Sequence, residues 1–275
     1  RGTRWSTNER CVSCPPRCVP SDGRSKRSFG KFDVYGSCPI GSRLNESRIA
    51  AARLGSFCHG YADNPYNLTR WAYRLLVYAG YAMVILEYEG HGRSDGLLGF
   101  IPSWDLLVDD AVTHFRNVLK KERDFRQKKC FLVGESMGGA VCFSSYLKCP
   151  NFWDGIIFVA PMCKISEEVK PPQWVIDLLL KIIGPSGSIN FFGKLPLSPS
   201  SDYDELIFKD KLVLQAFREV PTAYNRKPRL ATARELLVSD TLTSCRLYDP
   251  PSWKNHWLYF IPYSTILFFF RMPQI

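Results

Sequence analysis

The chain has 275 residues and a mass of 31.5 kDa, enough for a full core as one large α/β domain or two small ones. Its 45% hydrophobic and 23% charged content is that of an ordinary soluble globular protein, and ten cysteines in a chain this long do not make a disulfide scaffold. The net charge of +10 is uneven, since residues 1–50 hold ten Lys/Arg against four Asp/Glu. A basic end can touch nucleic acid or anionic lipid, but no DNA- or RNA-binding motif accompanies it, so it is read as a solvated arm without a nucleic-acid partner.

In chain order, residues 1–20 read as a basic, irregular, Cys-containing arm. Cys11, Cys14, Cys18 and Cys38 lack a matching second pair and are read as loose thiols, with no metal expected. Cys58, Cys130, Cys142 and Cys163 lie in or beside apolar runs and are read as small hydrophobes. Reduced thiols favour a cytosolic location, where the sequons at Asn45 and Asn67 carry no meaning. The chain opens on Arg1 with no apolar signal segment, which suggests a fragment or processed form.

Ser28 to Tyr35 alternates as a strand, and Arg53 to Cys58 is a second strand candidate ending at His59-Gly60. Leu68 to Tyr78 has helical spacing and stops at Gly80. Tyr81 to Tyr88 is a nearly continuous apolar run, the mark of a parallel strand covered on both faces. A tight loop, Gly90 to Gly96, follows it. Ser103 offers an N-cap for a helix carrying Leu107, Ala111, Phe115 and Leu119 at four-residue spacing. Gly155 to Ala160 reads as another buried strand. Strands alternating with helices predict a mostly parallel sheet with helices on both sides, over a core of residues 21–163. Residues 164–237 break that rhythm with Pro171-Pro172 and the apolar run Val175 to Ile183. They are read as a helical lid inserted after the sixth strand. Residues 238–275 form an atypical tail.

The chemistry centres on Gly134-Glu135-Ser136-Met137-Gly138, a G-x-S-x-G pattern between a buried strand, Lys129 to Val133, and a small-residue helix, Met137 to Leu147. That context describes an elbow lifting a serine hydroxyl off a sheet edge, with Gly134 and Gly138 needed for close helix–strand approach. Ser136 is therefore the candidate nucleophile. A serine needs a neighbouring base, normally a histidine oriented by a carboxylate, and two N–H donors for the oxyanion. The Met137 N–H at the helix start is one expected donor. The Tyr61 N–H is the other, in a loop where Gly60 permits close approach and His59 is supporting rather than the base.

Cys58-His59-Gly60-Tyr61-Ala62-Asp63, Gly90-His91-Gly92-Arg93-Ser94-Asp95-Gly96 and Gly134-Glu135-Ser136-Met137-Gly138-Gly139 resemble the monoacylglycerol lipase/lysophospholipase branch of the α/β-hydrolases, the serine aminopeptidase S33-like group. Lys164-Ile165-Ser166-Glu167 and Lys227-Pro228-Arg229-Leu230 are similar to plant-type members, which include caffeoylshikimate esterases. The resemblance runs from about Ser21 to about Leu237. It implies a serine hydrolase acting on monoacylglycerol or lysophospholipid esters through an acyl-enzyme, without a cofactor, with His91 structural. It also implies a C-terminal region bearing a triad Asp and a late His, and here the match ends. Asp249 and His256 do not fit that pattern and receive no role, so the triad acid and base are unknown and the last strands are expected to be missing. Tyr263 to Phe270 imitates a strand; the apolar tail Trp257–Phe270 would fill a sheet edge, dip into a membrane, or be a misread end of the coding region, and the last is favoured. A lipid ester is the expected partner, with peripheral membrane contact through the lid or the tail. The alternative is a non-catalytic lipid-binding protein of the same fold.

Overall fold

The computed structural model describes residues 32–35, 53–65, 70–121, 125, 127–162, 170–186, 191–197, 211–248 and 257–261. The arm at 1–20, Cys11, Cys14, Cys18, Cys38, Cys163, Asp249 and His256 lie outside them. Among the described residues six strands form one sheet in the order β1-β3-β2-β4-β5-β6: β1 (Phe32–Tyr35), β2 (Arg53–Cys58), β3 (Tyr81–Leu86), β4 (Lys129–Glu135), β5 (Gly155–Val159) and β6 (Trp257–Ile261). Only β1 is antiparallel, to β3; every other pairing is parallel.

The continuous apolar runs do what parallel strands require, feeding alternate side chains to opposite faces. On β3, Ala82, Val84 and Leu86 enter one core layer and Met83 and Ile85 the other. On β5, Ile156 and Phe158 face the first layer and Ile157 the second. The larger layer is covered by α2 (Trp104–Lys121) and α3 (Met137–Lys148), whose Val108, Ala111, Phe115, Val141 and Phe143 are buried in it. The smaller layer is closed by α1 (Arg70–Tyr78) through Ala72 and Tyr73, the latter edge-on to Phe57 at 5.9 Å. Ser103 caps α2, its Oγ accepting from the Leu106 N–H at 3.5 Å. Strand β3 stops at Leu86, short of the Tyr88 expected, because the next carbonyls are taken by the loop. Ser94 Oγ donates to Glu87 O at 2.7 Å and the His91 N–H to Tyr88 O at 2.9 Å. Cys58, Cys130, Cys142 and Cys149 are buried thiols outside any disulfide.

After β5 come three described α-helices, α4 (Gln173–Ile183), α5 (Lys211–Glu219) and α6 (Leu230–Tyr248), and no strand among the described residues before β6. Helix α6 runs through the 237/238 border expected from the sequence, and Ser239 beyond that border is fully buried. One strand does follow the insertion. Trp257–Ile261 pairs with β5 from Gly155↔Trp257 to Val159↔Ile261, so this part of the tail covers a sheet edge.

A buried ion pair docks the insertion on the core. Arg234 Nε lies 2.8 Å from Glu235 Oε1, with both side chains almost fully buried. Its other nitrogens donate to Gly184 O at 2.7 Å, Pro185 O at 2.9 Å and Pro102 O at 3.1 Å. Glu235 Oε2 accepts from the Trp104 N–H at 2.6 Å and from Ser186 Oγ at 2.9 Å. The end of α4, the start of α2 and the first turns of α6 thus share one satisfied network. Removing one partner of such a pair strands the other charge. Arg234→Met should therefore lower the unfolding free energy by about 3–5 kcal/mol, read from urea denaturation. A loss below about 1 kcal/mol, the worth of an exposed pair, would show the network to be slack.

Candidate active site

Ser136 stands where β4 gives way to α3, with φ 51° and ψ −121°, a positive-φ conformation that side chains other than glycine avoid. Three hydrogen bonds hold it there. The Ser136 N–H donates to Val159 O at 3.1 Å, and its carbonyl accepts from Gly139 N–H at 2.9 Å and Met162 N–H at 2.8 Å. Two of these tie the corner to the end of β5, so the neighbouring strand maintains the strain. The helix can leave so sharply only because side chains are absent. A Cβ on Gly134 would lie 2.4 Å from Gly138 O, and one on Gly138 would lie 2.0 Å from Cys58 O.

That contact brings the Cys58–Tyr61 loop to the serine. It starts at the carboxyl end of β2, the edge where open α/β sheets bind ligands. A Cβ on Gly60 would be 3.4 Å from Ser136 Cβ and 3.9 Å from its Oγ. Ser136 is half-buried, Tyr61 is half-buried and Met137 is buried at the first position of α3.

The two loop histidines are fully buried. His59 Nδ1 lies 2.8 Å from Gly60 O, and its ring packs on Tyr88 at 4.3 Å between centroids. Burial, with His91 adding to it, pulls its pKa down to about 3. His91 Nδ1 lies 3.2 Å from Glu89 O, and burial lowers its pKa to about 4. Both imidazoles are neutral at pH 7. Among the described residues no histidine is hydrogen-bonded to Ser136, so the described part of the chain assigns no base. The Gly90–Gly96 loop beside them is pinned by Glu87, fully buried, which takes Nε of Arg93 at 3.1 Å and Nη2 at 2.8 Å on Oε1, and the Arg93 N–H on Oε2.

Two carboxylates to which the sequence gives no role sit in this site. Glu135, the residue before Ser136, is 4% exposed, and Asp63, at the end of the Cys58–Asp63 loop, is 6% exposed. Burial first, and the Asp63 charge second, raise the Glu135 pKa to about 8, so its carboxyl is protonated at neutral pH. The signal for the pair was present as an acid inside each of two motifs. Their proximity was not.

With its central parallel strands, antiparallel edge strand and strained serine at a strand–helix corner against the β2 loop, the molecule has the α/β-hydrolase fold. The chain belongs to the family described as serine aminopeptidase, S33, whose family model matches residues 53–243. Caffeoylshikimate esterase of Arabidopsis thaliana is 28% identical over 187 residues, covering 65% of this chain and 52% of that protein. Monoglyceride lipase of Rattus norvegicus is 26% identical over 131 residues, covering 47% and 42%. The chain thus spans about half the length of the curated relatives it matches. In fold it is similar to Paleococcus ferrophilus monoacylglycerol lipase, with a TM-score of 0.57 at 18% identity over 85% of this chain and 89% of the other. A soluble variant of Saccharomyces cerevisiae monoglyceride lipase gives a TM-score of 0.58 at 14% identity, over 89% and 80%.

The site's titrations set a pH profile. Above its folded pKa of about 4, His91 is neutral in the folded protein, and His59 likewise above about 3. The unfolded imidazoles hold protons up to about 6.5, so these two groups add stability as pH rises to that point. Glu135 acts oppositely. Its stabilising contribution is complete below the unfolded value of 4.5 and is lost as pH rises to about 8. From pH 6.5 to 8 only the Glu135 loss remains of the three, up to about 1.4 kcal/mol per pH unit. Glu135→Gln should flatten the fall in stability over that interval, measured by urea denaturation at each pH; an unchanged slope would mean that Glu135 is ionised when folded.

Proposed function

We propose that this chain is a carboxylic-ester hydrolase of the monoacylglycerol lipase type that carries its acyl group on Ser136. The observation behind this is the strained, half-exposed Ser136 set against Gly60. In the proposed reaction Ser136 Oγ attacks the ester carbonyl, its proton leaves to a base, and the oxyanion is met by the N–H groups of Tyr61 and Met137. The glycerol or other alcohol departs with a proton, and water then releases the carboxylic acid and restores the hydroxyl. The reaction as written calls on no metal or cofactor. The names of the relatives, monoglyceride lipase and caffeoylshikimate esterase, bracket the substrate class.

A lipid ester is the preferred substrate on the character of the insertion. Trp174, Leu178 and Ile182 recur at four-residue spacing along α4 and are 69%, 51% and 44% exposed, with Phe191 and Phe192 nearby in sequence also exposed. Such apolar exposure suits a long acyl chain or a lipid surface. No helix among the described residues is long and apolar enough to cross a membrane.

The described residues assign no base to Ser136, and a serine acting without a triad base keeps about 10³–10⁴-fold catalysis over water, supplied by oxyanion donors and binding. Hydrolysis of p-nitrophenyl butyrate and of a monoacylglycerol by the purified chain tests both parts. The expected result is slow, saturable release that falls further in Ser136→Ala. Release that is unaffected by Ser136→Ala would remove the serine from the chemistry and favour a lipid-binding role. Rapid release abolished by that substitution would instead mean that a histidine of this chain serves as base.

A further inference from the structure

The turn that presents the Tyr61 N–H is itself strained. It closes through the Asp63 N–H to Gly60 O at a long 3.4 Å, and Ala62 inside it has φ 64°, a conformation that favours glycine. A residue other than glycine stays in that region only where neighbouring contacts over-determine it. The insertion supplies such contacts. The Tyr224 N–H donates to Ala62 O at 3.1 Å, and Asn64 Nδ2 donates to Thr222 Oγ1 at 3.2 Å. The Tyr224 and Tyr61 rings meet edge to face at 6.2 Å.

Tyr224 is in turn well fixed. It is 5% exposed, its hydroxyl donates to Lys227 O at 3.0 Å, and the Arg229 guanidinium lies 5.3 Å from its ring centre. Arg229 Nε also donates to Leu98 O at 2.9 Å. The ring lies so close over Gly99 that a Cβ there would come within 2.5 Å of it. Gly99 O receives the Tyr61 hydroxyl at 2.9 Å and Thr232 Oγ1 of α6 at 3.0 Å. Residues 60–64, 98–99 and 222–232 therefore form one interlocked unit beside Ser136.

We propose that Thr222–Tyr224 is a brace for the turn that presents the Tyr61 N–H, so that the insertion sets the oxyanion geometry as well as flanking the site. The proposal rests on the reading of Tyr61 as an oxyanion donor. Tyr224 acts through Ala62 and Tyr61 and is a positioning residue. Preorganised donors are effective because they need no rearrangement when charge develops, so slack in this turn would cost acylation rate rather than binding. It follows that displacement of residues 222–224 would loosen the Tyr61 donor while leaving the β4–α3 corner, which is tied to β5, in place.

Amide hydrogen exchange on the full chain, read by peptide mass spectrometry, tests the brace without any substrate. In Tyr224→Ala the amides of residues 59–64 should exchange about ten-fold faster or more, while those of 129–148 stay at the parent rate. Tyr224→Phe keeps the ring and the backbone N–H and should keep the parent protection. Should Tyr224→Ala fail to fold, Thr222→Val removes only the acceptor of Asn64 and should give the same local pattern at smaller size. Unchanged exchange at 59–64, or an equal rise in 129–148, overturns the brace. Ester turnover is a separate readout, so the exchange pattern supports or overturns the brace even in a chain whose Ser136 proves inert.

Discussion

A serine is held at positive φ where a parallel strand turns into a helix, and much of the molecule is arranged around keeping it there. The Ser136 side chain makes no capping bond to α3, and the residue could not keep φ 51° alone. Hydrogen bonds to Val159 and Met162 transfer the burden to β5, which sits beside β4 in register. The absence of side chains at Gly134 and Gly138 lets α3 pass against Cys58. The sheet order is thus a functional requirement. Placing β2 and β5 on either side of β4 puts the Gly60 loop on one side of the serine and its anchor on the other.

The second layer of organisation is polar and buried. Glu87 with Arg93, Glu135 beside Asp63, and Arg234 with Glu235 all lie within or next to the site or at the docking point of the insertion. Burying such groups gains little stability over apolar packing. Glu87 holds the Gly90–Gly96 loop through Arg93, and the Arg234–Glu235 pair holds the segment from Gly184 to Ser186. Burial first, and the Asp63 charge second, keep Glu135 protonated at neutral pH.

Much of this is legible in the residues. The strands β3, β4 and β5 announce themselves as apolar runs, because both faces of a parallel sheet are covered, while β2 reads only as a strand candidate. Ser103 is readable as a cap because the rule is local, and Ser136 because its glycines flank it at fixed offsets. Contacts between distant segments are not readable. Nothing in the sequence near Tyr224 points to Ala62, and nothing near Glu135 points to Asp63. Helix α6 crosses the lid–tail border read at 237/238, and its mixture of Thr, Ser and Leu shows no clean apolar stripe; the buried Arg234, Glu235 and Ser239 stand where a stripe would have stood. Trp257–Ile261 reads as a run of apolar residues with three possible fates, and only pairing with β5 distinguishes a strand among them.

If the β4–α3 corner is what makes this chain a hydrolase, its hydroxyl must react with acyl-type electrophiles. Incubation of the chain with a fluorophosphonate, followed by peptide mapping of the adduct, reads that reactivity at the residue itself. Slow accumulation of about one label per chain is expected on the peptide containing Ser136, and none in Ser136→Ala. A chain that takes up no label at Ser136, or that labels equally well after the substitution, would contradict it.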